Sequence, residues 1–367
     1  MNMRKVLLVS HGAALGGSPI SCLNIALNLR GHFDCQFLFG EDGPVVDRAR
    51  AAGFPVTVMV KHSGLRSLGF IYAAFRLIRR ERIDLVHLNT LTSYYKYPAW
   101  AAWLARVPSV WFIRENPLER RCQRLMPWLR RLPKRVVTVS HDTARDLNLP
   151  DGCVETIHNG VDLSAFAPDV VTSAGAQRVV PSTCSGRVLF GVVAMLETRK
   201  RVMETVRGFA ALNSDEYCLL VVGTDRTRDQ AYLAELRALI NDLGITDRVH
   251  LLGETADVRP FLAAIDVFVL LSDWEGLSRA ILEAMAMGKP IIASPRGGNP
   301  EQVELGVNGW LVESDDPEGI AKAAMRYIGE RELIAEHGRQ SRELAQQRFD
   351  MRLNATRFLD LYRRLLA

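Results

Sequence analysis

Short apolar runs alternate along this chain with longer segments whose apolar positions recur at helical spacing. The first pattern predicts strands buried on both faces of a sheet, and the second predicts amphipathic helices. Val6–Ser10 (VLLVS) reads as the first strand. It leads into a glycine loop (HGAALGGSP) and a helix with Ile20, Leu23, Ala26 and Leu27 on one face. Cys35–Gly40, Pro55–Val60, Asp84–Asn89, Ser109–Ile113, Arg135–Ser140 and Val154–Ile157 read as further strands. Helices are predicted over Pro44–Ala52, Phe70–Glu81 and Tyr97–Ala105, and Ser140 is placed to cap a helix through SHDTARDL. Phe166–Gly186 has no period and is rich in Pro, Ser, Thr, Ala and Gly, which marks a linker. A second series follows, with strands at Val188–Leu196, Tyr217–Val222, Arg248–Leu252, Ile265–Ser272 and Pro290–Ser294. Its helices are Val202–Leu212, Gln230–Leu243, Val258–Ala264, Gly319–Gly329 and Glu332–Arg348, and an amphipathic helix, Leu353–Leu366, ends the chain.

Strands and helices alternating in this way predict two α/β halves, each a doubly wound parallel sheet. The expected boundaries are 1–165 for the first domain, 166–186 for the linker and 187–349 for the second domain. Residues 350–367 are expected to cross back to the first. Ligands of such sheets bind beyond the carboxyl ends of the strands, near helix N-termini.

Composition changes this picture little. The 367 residues are 48% hydrophobic and 24% charged, and the net charge of +5 is mild for the length, so it gives no reason to expect nucleic acid. The six cysteines are scattered without a CxxC pair, which argues against zinc or a disulfide framework and for a reducing compartment, the cytoplasm. No apolar run approaches the roughly 20 residues that span a bilayer. The best candidate, Pro98–Ile113, is interrupted by Arg106.

Candidate chemistry concentrates in Ser272–Ser294 (SDWEGLSRAILEAMAMGKPIIAS). Glu275 lies in the loop after a strand. Glu283 is the only charge in the apolar helical run Ala280–Met287, so it should be buried and in need of a partner, either a ligand hydroxyl pair or an internal Arg or Lys. A diphosphate needs cations and free backbone N–H groups. Lys200 with Arg199 or Arg201 can supply the first, and Gly276, Leu277 and Ser278 the second. Carboxylates are strong acceptors for sugar hydroxyls, which suits Glu275 and Glu283. From the first half, the Gly16-Gly17 loop can bring backbone N–H groups toward an anion.

At these residues the sequence resembles the family 4 glycosyltransferases, retaining enzymes of the GT-B fold. WEGLSRAILEAMAMGKPIIAS resembles the E-x7-E signature of that family, with Glu275 and Glu283 as its glutamates. RVVTVSHDTARDL, IHNGVD, LLVVG, DRVHLLG, GGNPEQVELGVNGWLV and the loop GGSPISCLNIALNLRGH match in the family's order. The resemblance implies a nucleotide-sugar donor held mainly by the second domain. Glu275 would hold the sugar hydroxyls, Glu283 the ribose and Lys200 the diphosphate. Gly276, Leu277 and Ser278 would present N–H groups, while Gly253 and Glu254 would lie against the base. Gly16 and Gly17 would approach the phosphate or the acceptor. Two positions depart from the family. Met195 stands where an arginine precedes the phosphate lysine, and Arg114 stands where a histidine ends a strand. Arg114 and Glu115 are therefore expected to contact acceptor or donor, with Glu275, Lys200 and Arg114 as the catalytic set.

The resemblance also implies a hexosyltransferase that uses no cofactor and acts by front-face displacement, the leaving oxygen assisting deprotonation of the acceptor. No D-x-D triplet occurs in the chain, which disfavours a metal-bridged diphosphate. Surface polysaccharide or lipopolysaccharide assembly is the family's usual setting. The rival readings are a GT-B-like sugar-nucleotide epimerase and a non-catalytic nucleotide-sugar binding protein. Arg114–Arg135 has seven Arg and one Lys against two Glu, interleaved with Leu125, Met126, Trp128, Leu129 and Leu132. Such a stretch suits an anionic membrane surface at the inner face of the plasma membrane, or else an exposed helix with snorkelling arginines.

Overall fold

The computed structural model describes residues 3–14, 17–60, 66–150, 152–212 and 214–367. The chain forms two compact units. The first comprises Met1–Asn159 with Arg352–Ala367, and the second is Gly160–Met351.

Seven strands build the sheet of the first unit: β1 (Lys5–Ser10), β2 (Asp34–Phe39), β3 (Val56–Val58), β4 (Leu85–Leu88), β5 (Ser109–Ile113), β6 (Arg135–Thr138) and β7 (Val154–Thr156). Their spatial order is β3-β2-β1-β4-β5-β6-β7, with every pairing parallel. The chain reverses its direction of winding between β1 and β4, so their carboxyl ends flank a switch point. β1, β4 and β5 are almost wholly buried, as expected of strands covered on both faces. Ser140 caps the helix His141–Leu147 by accepting the Thr143 N–H at 3.1 Å.

The final helix, Met351–Leu366, packs on this unit. Tyr362 Oη lies 2.6 Å from His87 Nδ1, and the rings of Phe112, Phe358 and His87 meet edge to face. Burial pushes the His87 imidazole down to about 3, so it is neutral and packs as a core residue.

The second unit repeats the plan with six strands: β8 (Val188–Val193), β9 (Tyr217–Val222), β10 (Val249–Gly253), β11 (Val267–Leu270), β12 (Ile291–Ala293) and β13 (Gly309–Leu311). The order is β10-β9-β8-β11-β12-β13, again all parallel. The switch point falls between β8 and β11. Phe190, Phe209, Tyr217, Ile292 and Tyr327 belong to the core on which the sheet and helices close.

Two expectations change here. The stretch read as a linker, 166–186, carries a short helix, Ser173–Gln177, and belongs to the second unit. Cys184, in that stretch, forms a disulfide with Cys218 on β9, with Cα atoms 5.7 Å apart. The scattered cysteines argue against a disulfide framework and give no sign of this single bond. The fold brings the pair together by returning residues 182–184 to the sheet, a contact between residues 34 apart that spacing does not encode.

Candidate functional site

The loops that leave β8 and β11 meet at the switch point of the second sheet. Asp273 N–H donates to the Arg199 carbonyl at 2.9 Å, and the Arg199 guanidinium donates to the Trp274 carbonyl at 3.0 Å. This zippering sets Lys200 Nζ 2.5 Å from Glu275 Oε1, with both side chains mostly buried. Arg199 lies 3.7 Å from the same carboxylate and pairs with Glu197 at 2.8 Å. Arg201, at φ 53°, turns to Asp273 and Glu204, at 2.5 and 2.8 Å, and so supports the loops.

The helix Arg279–Ala286 starts directly behind Glu275 and buries Ile281, Leu282, Ala284, Met285 and Ala286. Its N-cap, Ser278, accepts the Ile281 N–H at 3.3 Å. The Ser278 N–H itself donates to Gln302 Oε1 at 2.9 Å, and the Gln302 amide returns a bond to the Ser278 carbonyl. Ser278 is thus committed to the fold and does not present its N–H to a phosphate, which corrects the sequence-based expectation. Gln302 was not singled out as a site residue, although it ends the GGNPEQ motif, because its partner lies 24 residues away. Glu283 takes the second of the two partners foreseen for it. It pairs with Arg279, one helical turn back, at 3.0 Å, and burial still raises its carboxyl above the ordinary value of 4.5.

A third loop, after β12, closes on the first two. The Gly298 N–H donates to the Glu275 carbonyl at 2.8 Å, and Gly297, at φ 58°, passes so near the Glu275 backbone that a Cβ there would collide with it. Neither glycine was a sequence candidate, although both sit in the GGNPEQ motif.

The sequence also singled out positions beyond Lys200, Glu275, Ser278 and Glu283. Gly253, at φ 78°, ends the edge strand β10, and the neighbouring Glu254 pairs with Arg226 at 2.9 Å on the surface. Met195 follows β8 and is exposed. Gly17 and Arg114 belong to the first unit, where Gly17 opens the helix Gly17–Asn28. Gly16 lies outside the described residues. Arg114 follows β5, stacks over Phe112 at 4.0 Å, and donates to Asn159 at 2.5 Å and Asn89 at 3.4 Å. Glu115 was expected to face a ligand. Its carboxyl instead accepts the N–H groups of Leu91, at 2.8 Å, and of Arg114, at 3.2 Å, and burial raises it.

The loops after β8, β11 and β12 thus converge on Glu275 at the switch point of the second sheet. Sequence models of Glycosyltransferase Family 4 and of Glycosyl transferases group 1 match residues 15–165 and 187–330, together most of the chain. The chain belongs to glycosyltransferase family 4. The N-acetyl-alpha-D-glucosaminyl L-malate synthase of Bacillus anthracis is 30% identical over 218 residues, 58% of this chain and 55% of that protein. The UDP-Gal:alpha-D-GlcNAc-diphosphoundecaprenol alpha-1,3-galactosyltransferase of Escherichia coli is 26% identical over 82% of this chain and 81% of its own. The crystal structure of Anabaena Alr3699/HepE in complex with UDP superposes with a TM-score of 0.88, at 23% identity, over 98% of this chain and 100% of that one. The two-sheet architecture of this glycosyltransferase is therefore GT-B. Relatives of this kind favour neither the epimerase nor the binding-only reading.

Proposed function

We propose that this glycosyltransferase moves a hexosyl group from a nucleoside diphosphate sugar to a hydroxyl acceptor with retention of anomeric configuration. The observation that carries the reading is the Lys200–Glu275 pair at the switch point of the second sheet, 2.5 Å apart and mostly out of solvent. Breaking the anomeric bond leaves negative charge on the diphosphate and positive charge on the sugar ring. Lys200, with Arg199 beside it, is placed to neutralise the first, and the N–H groups of Gly276 and Leu277 add their dipoles. Glu275 holds the sugar hydroxyls. Glu283 exchanges Arg279 for the ribose diol, and Gly253 and Glu254 border the base.

These cations supply the charge that a metal would otherwise bring, so the reaction is proposed to be metal-independent and to need no cofactor beyond the donor. Either UDP- or GDP-sugars suit the diphosphate chemistry. UDP is favoured because the Anabaena structure is described with UDP and the E. coli relative is named for UDP-Gal.

The first unit, with the 350–367 helix, takes the acceptor, and residues 187–349 take the donor. Gly17 and Arg114 border the acceptor. The E. coli relative is named for a diphosphoundecaprenol-linked acceptor, which supports a lipid-linked saccharide here. The setting is then cell-surface polysaccharide or lipopolysaccharide assembly at the inner, cytoplasmic face of the plasma membrane.

A thermal-shift screen with UDP, GDP, ADP and their sugars tests the donor. The matching nucleotide at one hundred times its Kd stabilises the fold by about 2.7 kcal/mol, and the others do not. Glu275→Gln should lower the transfer rate about 10²- to 10³-fold while nucleotide binding persists. Transfer at the wild-type rate in that variant, or an inverted product by proton NMR, overturns the reading.

A further inference from the structure

The basic stretch 114–135 turns most of its apolar residues inward, Leu118 excepted. Leu125, Met126, Leu129 and Leu132 are buried in the core of the first unit. The structure moves the question to the helices packed beside that stretch. Arg66–Arg80, Lys96–Leu104 and Met126–Leu129 are joined by ring contacts: Phe70 with Tyr94 and Tyr97, and Trp100 with Trp103 and Trp128. The sides turned away from the core carry large apolar groups in water. Leu68 is 66% exposed, Tyr72 61%, Trp103 53% and Leu104 51%. Leu68, Tyr72, Arg76 and Arg79 follow the i, i+4, i+8, i+11 stripe of one helix, and the Arg76 guanidinium lies 5.9 Å from the Tyr72 ring.

Charge singles out the same region. Residues 66–135 contain fifteen Arg and Lys against four Asp and Glu, a net of +11. The whole chain carries +5, so the remainder is net −6.

We propose that this helical layer is a docking surface for an anionic lipid bilayer. Tyr72 and Trp103 would sit at headgroup level, Leu68 and Leu104 would enter the acyl boundary, and Arg76, Arg79, Arg80 and Arg106 would meet lipid phosphates. Rings with a polar edge favour the interface, and arginines beside them gain from anionic headgroups. Exposed leucines on the same helices fit hydrocarbon and not a nucleic acid, whose contacts are phosphates and base faces. Among the described residues no helix is long and apolar enough to cross a membrane, so contact through this face is interfacial. The proposal rests on the lipid-linked acceptor reading and gives that acceptor a place from which to arrive.

The test is flotation of the full chain with vesicles of phosphatidylcholine, with and without phosphatidylglycerol. Wild type should float with anionic vesicles only and be released by salt. Arg76→Glu, Arg79→Glu and Arg80→Glu combined should lower partitioning by about two orders of magnitude or more, since each basic residue near the surface contributes about fivefold. Trp103→Ala with Leu104→Ser should weaken binding without altering its salt dependence. Brominated lipids should quench Trp fluorescence in wild type and much less in Trp103→Phe. All these positions are exposed, and an unchanged thermal midpoint confirms that each variant folds.

No flotation of wild type, equal flotation of wild type and variants, or capture of DNA in preference to vesicles overturns the proposal. Transfer to a short water-soluble acceptor separates it from the enzymatic reading. That activity should survive in every variant, and its absence in wild type that still floats would refute the transferase and leave the docking surface standing.

Discussion

Lys200 Nζ lies 2.5 Å from Glu275 Oε1 across a separation of 75 residues, because both follow strands that flank one switch point. In the donor reading the ammonium must leave that carboxylate for a diphosphate oxygen. Lys200→Met should therefore weaken UDP binding about 10- to 100-fold, the scale of one lost charge-assisted hydrogen bond. UMP, which lacks the second phosphate, should bind nearly as well as to wild type. Calorimetry with the two nucleotides checks this, and equal losses for both would deny Lys200 its diphosphate role.

The burial of Glu283 gives stability a pH dependence whose sign follows from the direction of its shift. Burial, only partly offset by Arg279, raises its folded-state carboxyl above the ordinary 4.5. The folded state therefore holds this proton more tightly than the unfolded chain. The contribution is full below about pH 4.5 and is lost as pH rises through the folded value. Glu283→Gln should flatten this part of the stability curve, raise the thermal midpoint at neutral pH, and weaken nucleotide binding. Denaturant titrations of both proteins across pH 4.5 to 8 would show whether the curves converge at the acid end.

Gly297 has no space for a side chain and holds φ at 58°. Gly297→Ala should cost at least about 1–2 kcal/mol from the left-handed backbone alone, and should displace the Glu275 loop that it crosses. Loss of transfer larger than loss of stability is the expected pattern. Gly329→Ala, in open space near the end of its helix, is the control and should be neutral or slightly stabilising.

The Cys184–Cys218 disulfide closes a loop of 34 residues. Reduction should destabilise the second unit by about 2–4 kcal/mol, on the loop-entropy account. Dithiothreitol should lower the thermal midpoint of wild type and leave that of Cys184→Ser unchanged. Intact mass before and after reduction reports the bond directly, and an unchanged mass shows the thiols were free.

The alternation of apolar runs and helical periods was enough to place nearly every strand and long helix, because strands covered on both faces are uniformly apolar. The short elements escaped it. Arg120–Gln123, Met126–Leu129 and Asn299–Gln302 have too few residues to show a period. Glu275, Lys200 and Glu283 were legible as chemistry because the motif sits between two apolar strands. Their partners were not. Asp273 with Arg201, Gln302 with Ser278 and Gly298 with Glu275 are contacts made by strand order. The reading of 114–135 as an outward amphipathic face failed for a related reason. Leu125, Met126 and Leu129 have the spacing of either face, and only the sheet beneath decides which is inner.

The closing helix has one more consequence. Tyr362 bonds His87 at 2.6 Å, Asn354 donates to the His158 carbonyl at 2.5 Å, and Arg364 pairs with Glu155 at 2.7 Å, so the first unit is assembled from two segments separated by the whole of the second. On the ribosome the second unit, a continuous run, can finish folding as soon as it emerges. The first must wait, with the face around Phe112 and His87 uncovered, until residues 352–367 are released. The unit that is translated first is thus the last to be completed, reversing the usual N-to-C order of domain folding.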